Sequence, residues 1–186
     1  MGYQNICVSA TDLVAGPSFL KAIDYSGSVF LSANLLNKSN KPIFQPGRLY
    51  TIKGTRIGII ALTDTDKMSM ISHKGEQVIA QEPVAALKKI WHYTKENADL
   101  IILLTSLNKT KIKNLLKIFP EVDLVISSGI EMPTYVPLKA GNTLIVSSHP
   151  KGKSVGLIAI EMKDGIISKY NNRLIMLKDS FLDTNY

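Results

Sequence analysis

The pattern within residues 98–134, ADLIILLTSLNKTKIKNLLKIFPEVDLVISSGIEMPT, limits the fold of this chain more than any other feature. Residues 99–104 and 122–126 are apolar runs of strand length without alternation, as expected of strands covered on both faces. Between them Ile112, Leu115, Leu116 and Phe119 fall at i, i+3, i+4 and i+7, which makes one apolar helical face, and Pro120 is expected to stop the helix. Strand, helix and strand in that order form a βαβ unit, whose crossover sets the two strands parallel. Parallel strands bring their C-terminal ends to one edge of the sheet, the edge where open α/β sheets hold ligands. The two ends read Thr105-Ser106-Leu107 and Ser127-Ser128-Gly129-Ile130-Glu131, so any chemistry is expected there.

The flanking sequence extends the same architecture. Residues 48–62 hold two β-rich runs separated by Lys53-Gly54-Thr55, which reads as a hairpin. Glu82-Pro83 opens a helix with proline in its preferred first turn, and Val84, Leu87, Ile90 and Trp91 form its apolar stripe. From Arg56 onward the order is strand, helix, strand, helix, strand, which calls for a doubly covered sheet. Further strands are expected at 143–147, 154–162 and 165–177, the last two joined through Asp164-Gly165, a strong hairpin signal. Residues 29–37 read as a short apolar strand broken by asparagines, 38–46 as a loop and 67–81 as a connecting segment. The expected class is α/β, a mixed sheet with flanking helices, and 186 residues suffice for a single domain over 1–186.

Composition serves mainly to exclude. A formal charge of +7 invites a nucleic-acid partner. The lysines are scattered, however, with no basic segment interleaved with aromatics, and the Lys109, Lys113, Lys117 stripe reads as a solvated helix face, so nucleic acid is not expected. No apolar run reaches the ~18 residues of a membrane span. The N-terminal MGYQNICVSATD lacks the basic start and apolar core of a secretory signal. Cys7, the one cysteine, reads as a buried structural thiol. Asp64 and Asp66 invite a calcium reading, but no further ligands follow at loop spacing and a polar turn is the expectation. His73, His92 and His149 each stand without a second ligand at metal-binding spacing.

The central unit resembles the calcineurin-like metallophosphoesterases, in particular their 5′-nucleotidase branch. There a strand ends in a metal-binding histidine and, one helix later, VDLIIGGHSH carries two more. Residues 122–131 read VDLVISSGIE in the same frame. GYQNICVSATDLVAGPSFLKA is similar to the family's GYDAVAVGNHEFDYGLDFLKK, with Gly2, Tyr3, Gly16, Phe19 and Leu20 in step. VFLSANLLN is similar to PVLSANI, IGIIAL to IGIIGLT, and residues 141–165 to GTLIVQAGEYGKYLGRLDLEVD. The match spans nearly all of this chain but only the C-terminal half of the family's catalytic domain, which implies half of an αββα sandwich.

In that family GNHE supplies a bridging asparagine ligand and a histidine that protonates the leaving group. The resemblance puts Ala10 and Thr11 at those two positions and Asp12 at the glutamate, while Ser106, Gly129 and Glu131 replace the three histidines. Among the replacements for ligands only Glu131 could hold a metal. Two-metal hydrolysis needs ions roughly 3.5–4 Å apart, clamped by converging carboxylate, asparagine and histidine ligands. The expectation is therefore a catalytically degenerate relative with no cofactor, acting in structural or protein–protein interaction roles. The alternative is a metal-dependent nucleotide hydrolase, holding two zinc or manganese ions, completed by a separate polypeptide that carries the other half. The resemblance also implies that the inner sheet face is covered by a second copy or a separate subunit. It leaves the compartment open, since the family is mostly periplasmic or extracellular while no signal peptide is visible here.

Overall fold

A computed structural model describes residues 3–23, 29–66, 68 and 75–177; His73 and much of the 67–81 segment lie outside them. The chain opens with β1 (Asn5–Cys7), a 3₁₀ turn over Thr11–Ala15 and α1 (Pro17–Ala22). Then come β2 (Val29–Leu31), β3 (Leu35–Leu36), β4 (Gly47–Ile52), β5 (Thr55–Leu62) and β6 (Ile79–Ala80). The expected helix is α2 (Pro83–Asn97), followed by the central unit β7 (Leu100–Thr105), α3 (Lys109–Leu116) and β8 (Leu124–Ser127). Last are β9 (Leu138–Ala140), β10 (Thr143–Val146), β11 (Ser154–Lys163) and β12 (Ile166–Met176).

The main sheet has six strands in the order β4-β5-β7-β8-β10-β9. Its four inner strands are parallel, and antiparallel β4 and β9 close the two sides. The βαβ reading holds, with Ile102 opposite Leu124 and Thr105 opposite Ser127 in the parallel ladder. One difference concerns the helix end. α3 stops at Leu116, before Pro120, because the Leu115 carbonyl accepts from both Ile118 and Phe119 and the chain turns there. Phe119 is still buried and meets Trp91 of α2 edge-on, 4.9 Å between ring centres. Both helices start on side-chain caps: Glu82 accepts from Ala85 N–H at 2.8 Å and Asn108 from Lys111 N–H at 3.0 Å.

The two helices cover one face of this sheet, where Ile60, Leu62, Ile101, Leu103, Val125 and Ile145 pack on Leu87, Ile112, Leu115 and Leu116. Alternation along buried strands puts the intervening residues on the opposite face. That face is covered in part by the chain itself. The β11–β12 hairpin turns at Asp164 (φ 51) and Gly165 (φ 76), the pair of positive angles that a tight two-residue hairpin needs. It lays Ile158 and Ile167 on Leu124, Leu144 and Val146. Ile57, Ile59, Ile102 and Leu104 remain half-buried and Ile126 is 40% exposed.

A parallel pair, β1–β2, forms a separate small sheet. Tyr50 of β4 donates to the Asn5 side chain at 2.9 Å, and Thr63 Oγ1 donates to Val8 O at 2.7 Å. Buried Asn34 accepts from Thr63 N–H (2.8 Å) and donates to the Thr63 and Gln81 carbonyls (2.9 and 3.0 Å). Unpaired buried polar groups are costly, so this network fixes where β1 and the residues around Asn34 sit on the sheet.

Candidate functional site

At the C-terminal edge of the parallel strands, hydroxyl side chains stitch the strand ends together. Thr105 Oγ1 donates to Leu62 O (2.7 Å) and accepts from Leu107 N–H (3.0 Å). Ser127 Oγ donates to Leu107 O (2.8 Å) and accepts from Gly129 N–H (3.0 Å), while Ser128 N–H reaches Thr105 O at 3.0 Å. The ends expected side by side are therefore in contact. They leave no room at Gly129: a Cβ there would stand 2.0 Å from Ser106 O and 2.5 Å from Leu107 O. Any side chain at this position would have to push two strand ends apart.

The other candidate positions are spread along the same edge, each with its own surroundings. Ala10 is buried in an apolar cluster with Val8, Leu13 and Leu20. Thr11 is exposed, its hydroxyl 2.9 Å from that of Ser9. Asp12 Oδ2 accepts from both the N–H and the hydroxyl of Ser9, each at 2.7 Å, and so closes its own turn. Ser106 Oγ accepts from Asp64 N–H at 2.7 Å, joining β7 to the loop after β5. Glu131 is exposed and makes no ion pair or hydrogen bond among the described residues.

A residue outside the sequence-based candidates organises the edge electrostatically. Lys111, in the first turn of α3, sends its ammonium to Asp64 Oδ1 at 2.5 Å and also pairs with Asp66. Burial pulls this ammonium toward the neutral form, but hydrogen bonds and charge from the two aspartates outweigh it and hold the pKa above the ordinary lysine value. The polar turn expected at 63–66 is thus an ion-paired one. A cation in a first helical turn opposes the helix dipole, so an acidic partner there could have been suspected from sequence. Its identity could not, because Asp64 and Lys111 are brought together only by the pairing of β5 with β7.

The remaining singled-out groups have structural surroundings. Cys7 sends its thiol toward Leu62 O at 3.5 Å, and burial pushes its pKa up to about 12, which makes it a poor nucleophile. His149 Nδ1 lies 2.9 Å from Ser154 Oγ and Nε2 lies 3.3 Å from the Tyr135 hydroxyl. His92 is exposed beside Glu96 at 3.2 Å, Tyr93 is exposed, and Lys109, Lys113 and Lys117 stand in solvent as expected of that stripe.

Among the described residues no three His, Cys, Asp or Glu side chains converge as a metal site would require. Ala10 has no donor atom, Gly129 has no space for one, Asp12 is occupied by Ser9, and Asp64 and Asp66 are occupied by an ammonium. This donor set does not fit a pair of divalent ions. The edge can hold its own strands together; among the described residues it presents no converging set of ligands.

Known proteins agree on the fold. No family model matches the sequence. A 5′-nucleotidase of Vibrio parahaemolyticus serotype O3:K6 (strain RIMD 2210633) is 28% identical over 193 residues, which takes in 83% of this chain and 34% of that protein. Among solved structures, the sulfate thiohydrolase SoxB of Thermus thermophilus superposes with a TM-score of 0.82 at 18% identity, covering 94% of this chain and 33% of SoxB. A 5′-nucleotidase precursor, also from Thermus thermophilus, gives 0.72 at 22% identity, covering 94% of this chain and 39% of that one. The chain thus spans about a third of the curated relative's length. Its fold is that of part of a 5′-nucleotidase-like metallophosphoesterase domain.

Proposed function

We propose that this chain is a catalytically silent, metallophosphoesterase-like module that holds no metal and works through contact with another protein. The observation that carries the reading is the closure of the strand ends around Gly129, where the resembled family projects a histidine. A lost ligand side chain could be restored by substitution in an open site. Here two backbone carbonyls stand where the side chain would begin. The replacements at Ala10, Thr11, Ser106 and Glu131 point the same way, because together they remove the bridging ligand, the proton donor and two further histidines.

Protein contact is favoured by the apolar strip of Ile57, Ile59, Ile102, Leu104 and Ile126, which the β11–β12 hairpin leaves incompletely covered. Every ~100 Å² of such surface removed from water contributes about 2.5 kcal/mol before the cost of association. A second copy or a separate subunit would serve.

The test is hydrolysis of nucleoside monophosphates and a generic phosphate ester with added manganese or zinc, together with metal content and light scattering on the purified chain. The expected result is background hydrolysis, no stoichiometric metal, and self-association or capture of a subunit. Turnover abolished by Glu131→Gln or Asp12→Asn would overturn the reading in favour of a nucleotide hydrolase completed by another polypeptide. A stable monomer at tens of micromolar that recruits nothing would remove the contact role.

A further inference from the structure

The opposite, N-terminal edge of the parallel strands carries a cleft of about 450 Å³, a volume within the range of small-molecule sites. Its walls come from the starts of β7 and β8, the turn between β9 and β10, and the beginning of β12. Three of the five charged residues that line it, Lys95, Asp99 and Glu121, are already engaged. Asp99 pairs with Arg56 at 2.6 Å, and Glu121 with Lys95 at 2.5 Å. Two are not. Asp123 Oδ2 accepts from Ile101 N–H at 2.8 Å and has no ion-pair partner among the described residues, while Lys139 has only the face of Tyr170, 5.6 Å from the ring centre. These two opposite charges line one cleft without pairing with each other. The Asp123 carboxyl is half-buried, and burial raises its pKa, so its ionised form lacks solvation that a cation could replace.

We propose that this cleft binds a small zwitterion of amino-acid size, with its ammonium on Asp123, its carboxylate on Lys139 and its apolar body against Ile166 and Tyr170. A simple anion entering here meets the carboxylates of Asp99, Glu121 and Asp123, and a simple cation meets the ammonium groups of Lys95 and Lys139. An amino acid carries both charges close together and satisfies one leftover group with each. Its side chain then has Ile166 and the Tyr170 ring for apolar contact.

Titration of the full chain by NMR or calorimetry with leucine, leucinamide and N-acetylleucine tests this directly. Leucine is expected to bind saturably, and each analogue lacking one charge is expected to bind roughly tenfold or more weakly, as the loss of a charge-assisted contact implies. Asp123→Asn keeps an acceptor for Ile101 N–H and should abolish the preference for leucine over N-acetylleucine. Lys139→Met keeps an apolar stem over Tyr170 and should abolish the preference over leucinamide. No saturable leucine binding, equal binding of all three probes, or preferences unchanged in both variants would each overturn the proposal. If one variant fails to fold, the other and the three-probe series still decide.

Discussion

The two edges of the parallel strands lie on one sheet and differ in how their charges are used. At the C-terminal edge Asp12, Asp64, Asp66 and Lys111 are all engaged within the chain and the backbone is packed until only glycine fits at position 129, while beside it a cleft of about 480 Å³ holds the exposed, unpaired Glu131. The N-terminal edge has a cleft of similar size, and there two opposite charges are left over. Motif resemblance directs attention to the first edge, because the ligands of such folds gather there. Physical accounting adds the second, where two opposite charges rather than one are left unpaired. A charged side chain can recruit a ligand only with the bonding capacity its own protein has left unused, and position in a motif says nothing of that capacity.

Making the same substitution at both edges breaks or confirms this contrast most sharply. Gly129→Ala should cost about 3 kcal/mol, since its Cβ would stand 2.0 Å from the Ser106 carbonyl and neither strand end can yield alone. Gly141→Ala, in the turn beside the cleft, meets nothing within 4 Å and bears only the strain of a left-handed backbone at φ 59, roughly 1 kcal/mol. Urea midpoints at constant m-value measure both. Equal losses would mean that the C-terminal edge is no more closed than the other.

A smaller effect is expected at the ion pair that holds the closed edge. Lys111→Met should destabilise by about 1 kcal/mol, a modest figure because the Lys111 side chain is 32% exposed and Asp66 is 63% exposed, so solvent screens much of the attraction. Its pH dependence follows from the sign of the shift. The folded pKa is raised, so the contribution is complete below the unfolded lysine value and is lost as pH rises through the folded one. Wild type and variant should therefore differ by a constant amount through neutral pH and converge only above the ordinary value of 10.5. A gap that closes between pH ~5 and ~8 would assign the effect to another group.

The smallest effect has the opposite direction. Asp123 is a carboxylate whose folded pKa is raised by burial, so its ionised form is a cost to folding at neutral pH and the cost fades as pH falls. Asp123→Asn should then leave stability unchanged or raise it by about 0.5 kcal/mol, with the gain disappearing in acid. Thermal or urea unfolding at two pH values reads this. A loss above about 1 kcal/mol would make Asp123 a structural residue whose bond to Ile101 N–H is its main role, and the contrast between the edges would weaken.

Much of the fold is legible in the sequence because the signals are local and redundant. Uninterrupted apolar runs marked β7 and β8, the 3.6-residue period marked the face of α3, Pro83 marked the start of α2, and Asp164-Gly165 marked the final turn. The end of α3 was less legible. A proline bounds a helix from beyond without saying how early it stops, and here the Leu115 carbonyl decides. Of the candidate site, sequence located the edge and its replaced residues. It missed Lys111, whose acidic partners lie more than forty residues away, and it did not point to Asp123 and Lys139, which only the sheet brings to one cleft.

By itself, then, the sequence determined most of the segments that become strands and helices, that the two strands of the central unit run parallel, and which residue types stand at their ends. These follow from period, length and turn chemistry, each a property of a few neighbouring residues. Tertiary structure alone decided that β11–β12 lies over Leu124, Leu144 and Val146, that Gly129 is pressed against two carbonyls, and that Lys111 is satisfied while Lys139 finds only a ring. Those outcomes depend on distances between groups far apart in the chain, set once strand pairing has fixed the register and the helices have packed. Whether a charge is engaged or free is a property of that arrangement and of no single residue in it.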